Sequence, residues 1–122
     1  MYIQLKDIKT ISGPLAHAFE LPSNIIRIIE FEEVVVVLLD EDGKQDKIIG
    51  VKFTKEGGIH RYHIGWEFQI IDKLGRTYGF DYMVRKNHKG QDLLVCMSGC
   101  VDMEYYLNPD TGEVLDKVFS KG

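Results

Sequence analysis

The chain has 122 residues, 44% hydrophobic and 28% charged, which suits one soluble globular domain and excludes a disordered segment with too few apolar groups to bury. Its 15 Lys and Arg against 19 Asp and Glu leave a net charge of −4, which argues against nucleic acid, since phosphate binding draws on clustered cations. The longest apolar run, Val34 to Leu39, is far too short for a bilayer, and no basic-then-apolar leader is visible. The expected setting is therefore the cytoplasm, with reduced thiols and no membrane contact.

Tyr2 to Ile8 alternates as an edge strand, and Pro14 to Phe19 has the makings of one short helix with Pro near its start. Ile25 to Ile29 and Val34 to Leu39 are β-branched runs separated by Glu30-Phe31-Glu32-Glu33. The second carries no polar residue on either side, which predicts a central strand covered on both faces. It closes at Asp40-Glu41-Asp42-Gly43, where Gly supplies a positive φ. Lys47 to Thr54 places Ile49, Val51 and Phe53 on one face. From Ile59 to Ile71 the alternation sets His60, Tyr62, Ile64, Trp66, Phe68 and Ile70 on a core face, against Arg61, His63, Gly65, Glu67 and Gln69.

Tyr78, Phe80, Tyr82 and Val84 form the next inward face, ahead of a polar loop from Arg85 to Gly90. Three strands remain: Asp92 to Met97, Val101 to Leu107 and Glu113 to Phe119. The last two are joined by Asn108-Pro109-Asp110-Thr111-Gly112, where Pro presets φ, Asp is able to bond its own backbone and Gly accepts the left-handed region. Short strands at this spacing predict a single all-β domain over residues 1–122, mainly antiparallel, either a sandwich or a strongly curved, barrel-like sheet.

The run Val95 to Cys100 holds both cysteines, and His60 and His63 complete the number of side chains that a zinc site needs. On a strand, residues three apart point to opposite faces, so the two histidines do not converge and no metal or cofactor is expected. If Ser98-Gly99-Cys100 is the hairpin loop, Met97 pairs with Val101 and one face collects Leu93, Val95, Met97, Val101, Met103, Tyr105 and Leu107. Cys96 then lies on the outer face and Cys100 in the turn, near Asp102 and Glu104, whose charges would raise a thiol pKa. No phosphate loop, nucleophile elbow or zinc signature appears, so a catalytic role is not expected.

Two acidic clusters stand out, Glu30, Glu32 and Glu33 at one end of the Val34 strand and Asp40, Glu41, Asp42 and Asp46 at the other. Such clusters are candidate partner-binding residues, because a negative surface steers association with a basic protein. A different reading is a small-ligand pocket lined by Tyr62, Trp66, Phe68, Tyr78, Phe80 and Tyr105.

The succession VVVVLLDEDG, KIIGVKFTKEGGIHRYHI and YYLNPDTGEVLDKVFSKG resembles small cytosolic bacterial immunity-type proteins encoded beside polymorphic or contact-dependent toxins. Their pattern joins a "VLLD" strand, a "Gly-Val" strand with an apolar "Trp-x-Ile" element, and a final "Asp-Pro-x-Thr-Gly" hairpin. Here the final loop begins Asn108-Pro109, and Trp66 comes later than that pattern places it. The resemblance implies a non-catalytic domain that inhibits a cognate, basic toxin domain by stoichiometric binding. It carries over no catalytic residue.

Overall fold

The computed structural model describes residues 4–5, 10–13, 16–41, 43–56 and 59–119, with side chains from Phe19 onward except at 41, 55–56 and 59–60. The described strands are β1 (Gln4–Leu5), β2 (Thr10–Gly13), β3 (Ala16–Glu20), β4 (Asn24–Glu30), β5 (Val34–Glu41), β6 (Lys44–Glu56) and β7 (Ile59–Phe68). They continue with β8 (Ile70–Ile71), β9 (Thr77–Tyr78), β10 (Tyr82–His88), β11 (Gln91–Ser98), β12 (Met103–Leu107) and β13 (Val114–Phe119). The protein is all-β. A seven-stranded sheet, β1-β2-β3-β7-β6-β5-β4, packs on a four-stranded one, β10-β11-β12-β13, while β8 and β9 form a small hairpin. Among the described residues no helix is long and apolar enough to cross a membrane.

The fold class expected from the alternation holds as a sandwich, and neither sheet closes into a barrel. The expected N-terminal helix does not form over its described part. Ala16 to Phe19 belongs to β3, which pairs antiparallel with β2 and meets β7 in a parallel contact at Ala16 and His60. Pro14 and Leu15 lie outside the described residues. Backbone groups satisfied by two neighbouring strands outweigh the weak local helical preference of Ala-His-Ala.

Val34 to Leu39 is at most 2% exposed, as a strand covered on both faces requires. Val34, Val36 and Leu38 join Ile48, Trp66, Phe80, Met83, Leu94, Cys96 and Leu107 in the core between the sheets. Val35, Val37 and Leu39 face the other way, with Leu21, Ile49, Val51 and Tyr62. Each such aliphatic side chain contributes on the order of 1.5–3 kcal/mol by leaving water.

The alternation expected along Ile59 to Ile71 breaks at one residue. Gly50 pairs with Trp66 but Val51 pairs with Ile64, so Gly65 is the extra residue of a β-bulge. Tyr62 therefore joins the second core, whereas Trp66 turns into the core between the sheets. The indole lies flat over Gly50, where an added Cβ would stand 2.1 Å from Nε1, and beneath Gly112, where one would stand 2.6 Å from the ring. Its Nε1 donates to the Pro109 carbonyl at 2.8 Å, a buried bond that ties the large sheet to the β12–β13 loop. That loop is shaped by Asn108, whose side chain accepts from the Asp110 amide at 2.9 Å and whose carbonyl accepts from the Gly112 amide at 2.8 Å. The local cap expected from Asp110 is thus supplied by Asn108, and Gly112 takes the expected positive φ of 75°.

The β11–β12 register also differs from expectation. Ser98 pairs with Met103 and Cys96 with Tyr105, so the connection is Gly99 to Asp102, longer than the expected three-residue loop. Cys96 lies fully buried between the sheets, not on an outer face, and Leu93 and Val95 take the opposite side with Tyr106. The expected polar loop from Arg85 is strand as far as His88. His88 stacks on Tyr106 with ring centroids 4.0 Å apart, and its Nε2 lies 2.9 Å from Asp116 Oδ2. The end of the β10–β11 hairpin thereby covers a face that would otherwise be wet.

Trp66→Phe removes the indole bond while keeping most of the apolar area, and should cost about 1–3 kcal/mol in urea unfolding. Gly50→Ala puts a methyl where the indole lies and should cost more, on the order of 3 kcal/mol. A Gly50→Ala protein as stable as wild type would contradict the stacking. A second expectation concerns pH. His88 is the main cause holding the Asp116 carboxyl below the usual carboxylate range. A carboxyl lowered in the folded state stabilises fully above its unfolded pKa, near 3.9, and that stabilisation fades as pH falls through the lower folded value. Asp116→Asn should therefore reduce the loss of stability on acidification, read as urea midpoints across pH. An unaltered acid limb would count against this clamp.

Candidate functional site

Where the four-stranded sheet stops covering the large one, the surface opens into a groove between the β4–β5 turn and the β12–β13 loop. One part, about 350 Å³, is lined by Glu33, Lys52, Phe53, Thr54, His63 and Asp110. The adjoining part, about 190 Å³, is lined by Phe31, Glu32, Glu33, Arg85, Asp92, Pro109 and Asp110. Glu33 and Asp110 belong to both, so the two form one continuous depression. Pro109, whose carbonyl is held by Trp66, fixes the position of the neighbouring Asp110.

Each wall has a local cause. Phe31 donates its amide to the Val34 carbonyl at 2.8 Å, closing a tight turn that leaves Glu32 and Glu33 exposed at its tip. Val34, Lys52 and His63 are successive partners across β5, β6 and β7, so the two basic side chains extend the inner face beyond the core. Arg85 seals the opposite end. Its guanidinium sits 4.7 Å from the Phe31 ring centroid, Nη1 donates to the Glu30 carbonyl at 2.8 Å, and Nε donates to Asp92 at 2.8 Å. This pairing holds the Asp92 carboxyl below its ordinary range and keeps the arginine fully charged.

Glu32, Glu33 and Asp110 have no such partner: among the described residues none of the three makes an ion pair. The groove thus presents three carboxylates outside any ion pair above a floor of Phe31 and Pro109, while the Phe53 ring turns away to Tyr62 in the second core. Such an arrangement suits a cationic side chain with an apolar stem.

The structure splits both acidic clusters. Glu30 pairs across from Val35 and shares the face of the second core, so it leaves Glu32 and Glu33 as the groove's own acids. In the other cluster Asp46 is only 3% exposed and accepts from the Thr77 hydroxyl, which removes it from any surface patch. Asp40 is half-buried, Glu41 is described in its backbone alone, and Asp42 lies outside the described residues. Nothing in the sequence marks Asp110, Asp92 and Arg85 as one site, because loop and strand contexts account for each of them. Only the approach of two segments far apart in the chain makes them one wall.

The aromatic set expected to line one pocket does not share a cavity. Trp66 and Phe80 fill the core between the sheets, Phe68 packs edge-on against Tyr105 at 5.5 Å, and Tyr62 sits in the second core. His60 and His63 hold positions of opposite parity on β7, before the bulge. Burial, not the nearby acids, pushes the Cys96 thiol far up, while Cys100 is exposed. Native protein should therefore react with Ellman's reagent at Cys100 alone, and at both cysteines in denaturant. Equal reactivity of Cys96 in the native state would contradict its burial.

No family model matches the chain, and no curated protein or solved structure matches it, so a functional reading rests on the chemistry of the groove.

Proposed function

We propose that the protein is a non-catalytic protein-binding domain that captures a basic segment of a partner, as an immunity protein captures a toxin. The observation that carries the reading is the convergence of Glu32, Glu33 and Asp110 on one open groove, where none of the three makes an ion pair among the described residues. Three carboxylates without ion-pair partners beside an apolar floor favour an Arg or Lys side chain, whose stem packs below while its head meets the carboxylates. They also repel acidic competitors, which is how such surfaces select partners. Lys52 and His63 at one end and Arg85 at the other confine the negative surface to the middle of the groove. A small ligand in the same groove is a second reading, supported by a volume of about 350 Å³ but not by an aromatic lining.

A pull-down from the source cells should recover a basic protein domain. Binding to it should weaken as salt is raised, and Glu33→Lys with Asp110→Lys should weaken it at least roughly tenfold, about 1.4 kcal/mol. Both substituted residues are on the surface, so circular dichroism should show the fold intact. Unchanged affinity in the double variant would sink the acidic-groove reading.

A further inference from the structure

We propose that Asp40 and Asp46, at the closed end of the β5–β6 hairpin, hold a hard divalent cation, calcium by preference. Leu39 pairs with Lys47 and Glu41 with Lys44, so Asp40 stands across from Gln45 and Asp46 at the irregularity between these pairs, one step beyond the core pair of Leu38 and Ile48. The side chain of Asp46 is almost wholly buried. Its Oδ2 accepts from the Thr77 hydroxyl, but its Oδ1 is sealed from solvent with no hydrogen-bond partner. Oδ1 of Asp40 is in the same condition.

A third orphan is the Ser98 hydroxyl. The Phe80 amide donates to the Gln45 carbonyl and the Asp81 amide to the Met97 carbonyl, each at 2.7 Å. These two bonds connect the residue before Asp46 to the residue before Ser98. Among the described residues, these three are the buried side-chain oxygens that lack a partner.

Two carboxylates side by side on neighbouring strands repel each other, and a buried oxygen without a donor loses its hydration for nothing. Among the described residues no Lys, Arg or His pairs with either acid. A divalent cation removes both penalties, because it neutralises the pair and takes the free oxygens as ligands. Asn24, the β4 partner of Asp40, and the Thr77 hydroxyl offer neutral oxygens beside them. No group of three His, Cys, Asp or Glu side chains converges among the described residues, so the remaining ligands would be neutral oxygens and water. An all-oxygen shell suits calcium or magnesium and not zinc. Calcium tolerates irregular coordination, whereas magnesium demands a near-octahedral shell that a hairpin end with fixed side chains does not offer.

The test uses the whole protein after chelator treatment, titrated with calcium chloride or magnesium chloride alone, with calorimetry and thermal unfolding as readouts. Calcium should bind one-to-one and raise the midpoint with the logarithm of its concentration, and magnesium should do so more weakly. Asp46→Asn and Asp40→Asn should each weaken binding at least roughly tenfold, whereas Glu32→Gln, in the groove, should bind calcium as wild type does. Because Asp40 is half-buried, Asp40→Asn tests the site even if Asp46→Asn fails to fold. No midpoint rise with either cation into the millimolar range, or undiminished binding in both Asn variants, overturns the site. Tighter binding of magnesium than of calcium overturns the preference.

Discussion

The Trp66 indole between Gly50 and Gly112 is the contact on which the two sheets depend for their relative placement. A ring that size fits only because neither glycine carries a Cβ, and its single N–H is spent on the Pro109 carbonyl. The contact therefore combines apolar burial with one oriented bond, and the bond fixes direction where burial alone would not. Trp66 points this way because Gly65 bulges and reverses the side-chain alternation of β7. Without that reversal the indole would share a face with Tyr62, and the β12–β13 loop would lose its anchor.

The groove follows from the same anchor. Pro109 and Asp110 stand opposite Glu32 and Glu33 because the loop is drawn toward β7, while Arg85 holds the other flank through Phe31, Glu30 and Asp92. Burial and charge separate cleanly at this point. The turn acids remain exposed because none of the described residues covers the tip between β4 and β5, whereas Asp46, equally acidic in the sequence, is carried inward by its place on β6.

The four-stranded sheet shows why register was hard to read. Leu93, Leu94, Val95 and Cys96 are all buried, because the main core covers one face and the end of the β10–β11 hairpin, through His88 and Tyr106, closes over the other. When both faces are apolar, a shift that exchanges them costs little in the hydrophobic pattern, and pattern no longer selects a loop length. The connection from Gly99 to Asp102 is then set by pairing with β10 and β12, which local sequence does not report. Asp102 takes a positive φ of 52° there, a conformation that few non-glycine residues adopt and that turn composition alone does not announce.

The all-β class, the sandwich as one of two expected forms, the doubly covered Val34 strand and the left-handed glycines at 43 and 112 were legible in the sequence by itself. Each depends on interactions between residues close in the chain: period-two burial, β-branched stiffness and the φ freedom of glycine. Only the tertiary structure decided the bulge at Gly65, the side taken by Cys96, the strand at Ala16 to Phe19 and the division of the acidic residues between a groove and an interior. The reason is physical: each of these is chosen by the competition of distant strands for the same hydrogen bonds and the same buried volume, and that competition leaves no periodic trace along the chain.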